Sequence, residues 1–417
     1  MPSTLDIRRV CVIGGDARAD ALRDVFRREG RDVVVSGGNA GIPGATAIRP
    51  EDIDADLFVI SPEAPLCAGL ADRLMQQKKL VLGPTEDGAR LEGSKAFMKE
   101  VVSDAQVRTA RYATLAEPRS ARRFAHMLIE EFGACAIKTD GLAAGKGVLV
   151  TDDVDEADAD IEDKLSGRSF GDAGKKLVIE AALKGRELSV FFVTDGQHVK
   201  LLRAYAQDYK RVGDGDTGAN TGGMGCFSPV FVSPEDERQF ILDAEAILAV
   251  LRMRGITYTG FFYFGYMGAP GDWSLLEINV RFGDPEAQVI LSRILGGFTE
   301  LVASAARGAI DPEHEVEFSS EAAVVVIIGA PGYPTNPVKG GRIIIKNREP
   351  ENAHYYWASV EAGSSPDEMI MAGGRCLSVV GRGADIAAAR EAAYTAVSEG
   401  LELPDGYTMR SDIALAA

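Results

Sequence analysis

Glu277, Asn279 and Arg281 stand two residues apart in the run Leu275-Leu-Glu-Ile-Asn-Val-Arg-Phe-Gly-Asp284. Polar and apolar residues alternate there, the two-residue period of a strand with one buried face. The three side chains therefore share a face, spaced about 7 Å apart, twice the rise per residue. A carboxylate beside an amide oxygen offers hard donors that suit Mg²⁺ held against nucleotide phosphates. An arginine two residues on can grip a phosphate or a carboxylate with its fork. A strand whose polar face simply meets water would alternate in the same way, so the remainder of the chain has to decide.

Cations precede this run. Residues 134–151 read as a strand, a small-residue loop and a second strand: the first delivers Lys138, the loop holds Gly145, Lys146 and Gly147, and the second begins at Val148. Glycines let backbone N–H groups approach phosphate oxygens, and lysines supply the charge. The spacing is not that of a Walker loop, and no helix follows. Ser94 is a good N-cap and puts Lys95 in the first turn of a helix, where a cation is disfavoured unless an anion is nearby. Residues 176–183 read as a strand running into a connector, with Glu180 suited to accept from an adenine amino group. Glu187, on the next strand, suits ribose hydroxyls. Residues 207–229 are glycine-rich and aperiodic, and in a compact domain such a stretch is functional or disordered. Its apolar flanks, 199–206 and 227–232, favour function. It is expected to form a backbone-lined substrate pocket with Asp208, Lys210 and Arg211 at the mouth.

The elements that must position these groups begin with strand–helix alternation. Residues 10–14, 32–36, 57–60 and 80–83 are short apolar runs, separated by helical patterns near 17–29 and 66–77. They predict a parallel sheet covered on both faces. Ligands of such sheets sit at the carboxyl ends of strands, which here carry Gly14-Gly15-Asp16, the loop 37–41 with Asn39, and the loop 61–65 with Glu63. A dinucleotide fingerprint fails, because Gly14 and Gly15 are adjacent and Ala17 and Ala19 fill the later positions. Residues 257–267 are expected to pair antiparallel with the Glu277 strand around a turn near Pro270-Gly271-Asp272. The acidic run 152–163 reads as a solvated helix face, and the tail from about 322 as a separate small α/β unit. The fold class is thus α/β and α+β multidomain. Cuts near 104 and 320 divide the chain into 1–104, 105–320 and 321–417.

At 417 residues, with 46% apolar and 26% charged residues, the chain has ample material for several cores. Its net charge of −17 argues against a nucleic-acid or anionic-membrane partner. No apolar run reaches membrane-spanning length, and the first residues lack a signal peptide's apolar segment. Five widely spaced cysteines fit a reducing cytoplasm.

Lysines, a glycine loop, two carboxylates and a metal-binding strand, in that order, suit Mg-ATP held between two sheets. No serine, cysteine or histidine stands in an obvious nucleophile–base arrangement. The simplest chemistry that needs neither is activation of a carboxylate by ATP: an acyl phosphate forms, and an amine displaces phosphate. Catalysis then rests on positioning and charge neutralisation.

The order of motifs resembles the ATP-grasp ligases, and within them the phosphoribosylamine–glycine ligases of purine biosynthesis. The likeness runs through 62–72, 83–85, 91–99, 138–148, 170–174, 207–224, 258–260, 277–286 and 373–375, nearly the whole chain, and implies a Rossmann-like domain at 1–104, an ATP-grasp domain at 105–320 with a mobile lid at about 110–190, and a C-terminal domain at 321–417. It implies that Lys95, Lys138, Glu180, the backbone of Ala181 to Leu183, and Glu187 hold ATP, with Gly145 and Lys146 in the phosphate loop. It places Mg²⁺ or Mn²⁺ on Glu277 and Asn279. Asp208, Lys210, Arg211, Asn220, Gly222, Gly223, Arg281 and Asp284 would line the glycine and acyl-phosphate side. The small-molecule partners implied are glycine or a similar carboxylate and an amine, in a monomer or homodimer. The first loop departs from the family: Arg18 is kept, but Asp16-Ala17 replaces a Gly-Gly pair, and Ala19 and Asp20 replace Glu and His. Two added carboxylates beside a phosphate site are repulsive, and Cβ atoms obstruct the backbone's approach. The family's His-Ala-Gly-Thr is also absent around Trp357 to Gly363. These departures leave open a paralogous ligase with another amine, or a nucleotide-binding protein without catalysis.

Overall fold

The computed structural model describes residues 6–142, 147–169, 171–348, 350–415 and 417. The expected first sheet is present. Arg9–Ile13, Asp32–Ser36, Ala45–Thr46, Leu57–Ile60 and Val81–Leu82 pair in parallel, with Arg9–Ile13 in the middle. Val10, Val12, Val33, Val35, Leu57 and Val59 enter one core, while Cys11, Ile13, Phe58 and Ile60 enter another. Burial on both faces explains why these strands read as continuous apolar runs. The helix Ala17–Arg28 follows the first strand. The helical pattern at 66–77 is split into Glu63–Cys67 and Leu70–Gln76, because Gly69 takes a φ of 69° between them.

Ser94 accepts from the Phe97 N–H and caps the helix Lys95–Asp104, which leads out of this layer. A separate antiparallel sheet follows, in the order Tyr112–Leu115, Leu177–Ala181, Cys135–Thr139, Val148–Thr151. The helices Pro118–Phe132 and Val154–Leu165 back it, and Ala121, Ala125, Leu128, Ile137, Ile161 and Ile179 form its own small core.

The third layer is an eight-stranded sheet: Asp272–Asn279, Gly260–Ala269, Arg186–Thr194, Val199–Asp208, Gly225–Ser228, Ala322–Gly329, Arg375–Gly383 and Ala353–Trp357. The last three belong to the tail, which is therefore less separate than its sequence suggests. All eight residues of Ala322–Gly329 are buried, and such a strand needs neighbours on both sides. The tail keeps only a four-stranded sheet to itself, built of Arg342–Ile345, Val360–Ala362, Glu368–Met371 and Leu401–Glu402.

Two local expectations are corrected. Residues 207–229 are not an open loop. They form the hairpin Arg211–Gly213/Thr217–Asn220 and the strand Gly225–Ser228. Positive φ at Gly215, Gly218 and Gly223 explains the glycines. Arg410, a buried tail residue, holds the hairpin by donating to the Arg211 carbonyl and to Asp216. The strand Asp272–Asn279 pairs with Gly260–Ala269 as expected, but the register slips: Glu277 faces Gly265 and Leu275 faces Tyr266, which leaves Leu276 as a bulge. Strict alternation therefore starts at Glu277.

Phe298 joins these layers, with its ring centroid 5.5 Å from Phe26 and 6.4 Å from both Phe261 and Phe282. Phe298→Ala is expected to cost about 3–5 kcal/mol, the usual loss for a large aromatic truncated in a core. A lowered denaturant midpoint would register it.

Candidate active site

Glu277 and Asn279 lie at the end of the edge strand Asp272–Asn279, and Lys138 of the small antiparallel sheet acts on Glu277 across the cleft between the two sheets. Burial alone would raise the Glu277 carboxyl, but Lys210, Lys138, Arg281 and Lys95 outweigh it and hold it below the usual range. Lys210 Nζ lies 3.9 Å from Glu277, 3.7 Å from Glu187 and 3.3 Å from Asp208. Burial pushes the Asp208 carboxyl well up despite Lys210, with Glu286 and Glu187 adding to the effect. Its Oδ1 has no hydrogen-bond partner among the described residues. Gly223 passes so close that a Cβ there would meet that oxygen at 2.7 Å.

The lysines come from two elements. Lys138 ion-pairs with Glu180, whose other oxygen lies 2.5 Å from Lys99. Glu180 is thus buried between two ammonium groups, which offset its desolvation and keep it charged. Both oxygens of this expected adenine acceptor face lysines. Lys95 Nζ donates to the Gly141 carbonyl at 3.3 Å. Burial first, and then Lys138, lower its pKa. The Ala181 N–H is taken by the Arg111 carbonyl, and Leu183 follows beyond the strand's end. Gly145 and Lys146 lie outside the described residues.

On the other side three arginines interlock with carboxylates. Arg18 forks onto Asp16 Oδ2, at 3.0 Å from Nε and 2.6 Å from Nη2, and reaches Glu63 at 3.4 Å. Arg281 bridges Glu63 at 3.3 Å and Glu92 at 2.6 Å. Arg375 pairs with Asp284 at 2.8 Å and donates to the Gly222 and Gly223 carbonyls. Asn39 does not reach this cluster as a free group: its amide bridges the Gly15 and Trp357 carbonyls and accepts from Gly41 N–H. Arg211 turns onto the Gly218 carbonyl of its own hairpin, where Asn220 is its strand partner. The expected repulsion from Asp20 is also corrected. Asp20 is buried away from the loop, accepting from the Trp357 N–H and from Arg23.

Several participants were not singled out from the sequence. Lys99 stands four residues after Lys95, on the same helix face, and that spacing was the available signal. Glu286 accepts from Ser189 inside the sheet. Glu92, which also accepts from the Val280 N–H, has no local signature.

A metal fits this arrangement through its donor set, the Glu277 carboxylate and the Asn279 amide oxygen, both hard oxygen ligands. Asn279 is 8% exposed, and its amide nitrogen finds no acceptor among the described residues. The described residues include no group of three or more His, Cys, Asp or Glu side chains able to hold an ion. An ion on Glu277 and Asn279 therefore needs oxygens from elsewhere, as Mg²⁺ does when it shares nucleotide phosphates and water.

A parallel sheet, a small antiparallel layer carrying phosphate-type lysines and a large sheet carrying oxygen donors define an ATP-grasp carbon–nitrogen ligase. Family models of phosphoribosylglycinamide synthetase match three successive parts: the N domain at 8–92, the ATP-grasp (A) domain at 93–287 and the C domain at 323–416. The chain belongs to that family, whose members use ATP and a divalent metal. It is 38% identical to the phosphoribosylamine–glycine ligase of Streptomyces coelicolor, with 98% of this chain and 99% of that protein covered. It is 37% identical to that of Salmonella typhimurium, covering 98% of each. Among solved structures, the phosphoribosylamine–glycine ligase of Thermotoga maritima superposes with a TM-score of 0.84 at 33% identity, covering 97% of this chain and all of that one. A biotin carboxylase domain from Hydrogenobacter thermophilus, at 15% identity and a TM-score of 0.69 over 97% and 92% of the two chains, shares the fold. Among the described residues no helix is long and apolar enough to cross a membrane.

The lowered pKa of Lys95 has a measurable sign. As pH rises, Lys95 loses its charge before an ordinary lysine would, at its usual 10.5. Nucleotide affinity is expected to fall on the alkaline side below that value. Lys95→Arg, which stays protonated, should carry the affinity further into alkali. Calorimetric titration of ATP against pH checks both.

Proposed function

We propose that this chain joins glycine to phosphoribosylamine, splitting ATP to ADP and phosphate and giving glycinamide ribonucleotide. The observation that carries this reading is the convergence of Lys95, Lys138 and Lys210 on the ionised Glu277 beside Asn279. In this reading Lys95 and Lys138 hold the nucleotide phosphates, with Gly145 and Lys146 closing over them. Glu187 holds the ribose, and Glu180 fixes Lys138 while bordering the adenine. Mg²⁺ or Mn²⁺, bound by Glu277 and Asn279, would supply neutralisation of phosphate charge.

A carboxylate oxygen of glycine attacks the γ-phosphorus, the bond to the β-phosphate oxygen breaks, and ADP leaves. The amine nitrogen then attacks the acyl carbon, the carbon–oxygen bond to phosphate breaks, and the amine loses a proton. Asp208, with its unpartnered Oδ1, receives the ammonium of glycine. Lys210 and Arg281 neutralise the charge that builds on the acyl phosphate. Gly222 and Gly223 leave room for it, and Asp284 holds Arg375 against their carbonyls. Arg211 and Asn220 shape this wall through the hairpin. Arg18, Glu63 and Asn39, at the carboxyl edge of the parallel sheet, form the amine side. The domain division 1–104, 105–320 and 321–417 is retained, with 110–190 as the moving lid. Five free thiols support a cytoplasmic setting, and the chain acts as a monomer or homodimer. One feature favours a second reading, a paralogue with another amine: Asp16 sits on Arg18.

Glycine labelled with ¹⁸O in its carboxylate tests the chemistry. The expected result is one labelled oxygen in each phosphate released, read by mass spectrometry. Unlabelled phosphate at full turnover would remove the acyl phosphate.

A further inference from the structure

The two edges of the cleft are prepared for opposite charges. On the nucleotide edge, the Lys95 ammonium donates to a carbonyl at 3.3 Å, the partner of a cation that can still take an anion. On the amine edge each arginine already faces a carboxylate. Arg18, Arg281 and Arg375 stand against Asp16, Glu63, Glu92 and Asp284, three formal positive charges to four negative. Asp16 contributes most to that balance at the sheet's edge. Its Oδ1 accepts from the Ala19 N–H at 3.0 Å and from Ser61 at 3.3 Å, so it fills the N-terminus of the helix Ala17–Arg28. Its Oδ2 takes the Nε–Nη2 fork of Arg18. The places where an anion would be received after the first strand of a parallel sheet, a helix N-terminus and an arginine fork, are thus both held by one side chain of the protein itself.

We propose that Asp16 is a specificity-determining residue of the amine side: it competes for Arg18 with the phosphate of phosphoribosylamine, so that this amine is held more weakly than a free Arg18 would hold it, while an amine without an anionic group is unaffected. This rests on the ligase reading above. Asp16 touches no reacting atom in the account. It acts through Arg18, whose Nε and Nη2 become available only when the carboxylate lets go. Other contacts of Arg18 are weaker replacements, with Glu63 at 3.4 Å and Asp284 at 3.9 Å.

Asp16→Asn isolates the charge, because asparagine caps a helix as well as aspartate does. Wild type and variant are compared with phosphoribosylamine and with ribosylamine, each formed in situ from the sugar and ammonia, at saturating ATP and glycine. The expected result is a KM for phosphoribosylamine lowered about tenfold or more in the variant, the scale of one charge-assisted contact released. The KM values for ribosylamine, ATP and glycine should stay unchanged, a split that a general loosening of the loop would not produce. An unchanged preference between the two amines, or an equal shift for both, overturns the role of Asp16 while leaving the ligase reading intact. Failure of both proteins to release phosphate with either amine overturns the ligase reading and this inference with it.

Discussion

A half-buried carboxylate that stays ionised is the constraint on which this structure depends. Glu277 pays for desolvation, and four cations answer it: Lys210, Lys138, Arg281 and Lys95. They arrive from different elements. Lys95 opens the helix leaving the parallel sheet, Lys138 lies on the small antiparallel sheet, Lys210 follows a strand of the large sheet, and Arg281 follows the strand of Glu277 itself. Packing these layers together is therefore what creates the site. Glu180 has the matching task on the far wall, where its carboxylate between Lys99 and Lys138 ties the small sheet to the helix Lys95–Asp104. Lys99 also donates to Thr109, which donates to the Leu275 carbonyl, so the brace extends to the strand of Glu277.

Charge is distributed unevenly along the cleft, and the imbalance divides its labour. Around Glu277, Lys95 is held by the Gly141 carbonyl rather than by a carboxylate, which suits a polyphosphate. Around Arg18 the arginines are fully engaged by carboxylates. The tail contributes to that second region through Arg375 and through Trp357, whose backbone holds Asp20 and Asn39. Asp20 and Trp357, far apart in sequence, meet at this contact. It fastens the helix Ala17–Arg28 to the edge strand Ala353–Trp357 of the large sheet.

Local patterns carried much of this. The parallel strands, the Ser94 cap, the hairpin around Pro270-Gly271 and the pair Glu277/Asn279 were all legible, because each depends on near neighbours in sequence. The bulge at Leu276 was not, since nothing in Leu275-Leu276 says which leucine loses its partner. The glycine-rich stretch read as a loop because its ordering comes from Arg410, nearly two hundred positions away, as in the contact to Asp216. Continuity of the tail with the large sheet was hidden for a related reason: pairing between Gly225–Ser228 and Ala322–Gly329 is long-range. The sequence also presented Asp16 and Asp20 as equal intruders at the first loop. Only the structure separates them, burying one under Trp357 and setting the other on Arg18.

The proposed chemistry depends most directly on a metal at Glu277. Electron paramagnetic resonance titration of Mn²⁺, with a non-hydrolysable ATP analogue present, compares wild type with Glu277→Gln, and turnover is measured on the same preparations. The predicted result is a ternary complex in wild type, Mn²⁺ binding weakened about tenfold or more in the variant, and turnover lowered about 100-fold or more. Equal Mn²⁺ affinity and equal turnover in the two proteins would contradict it.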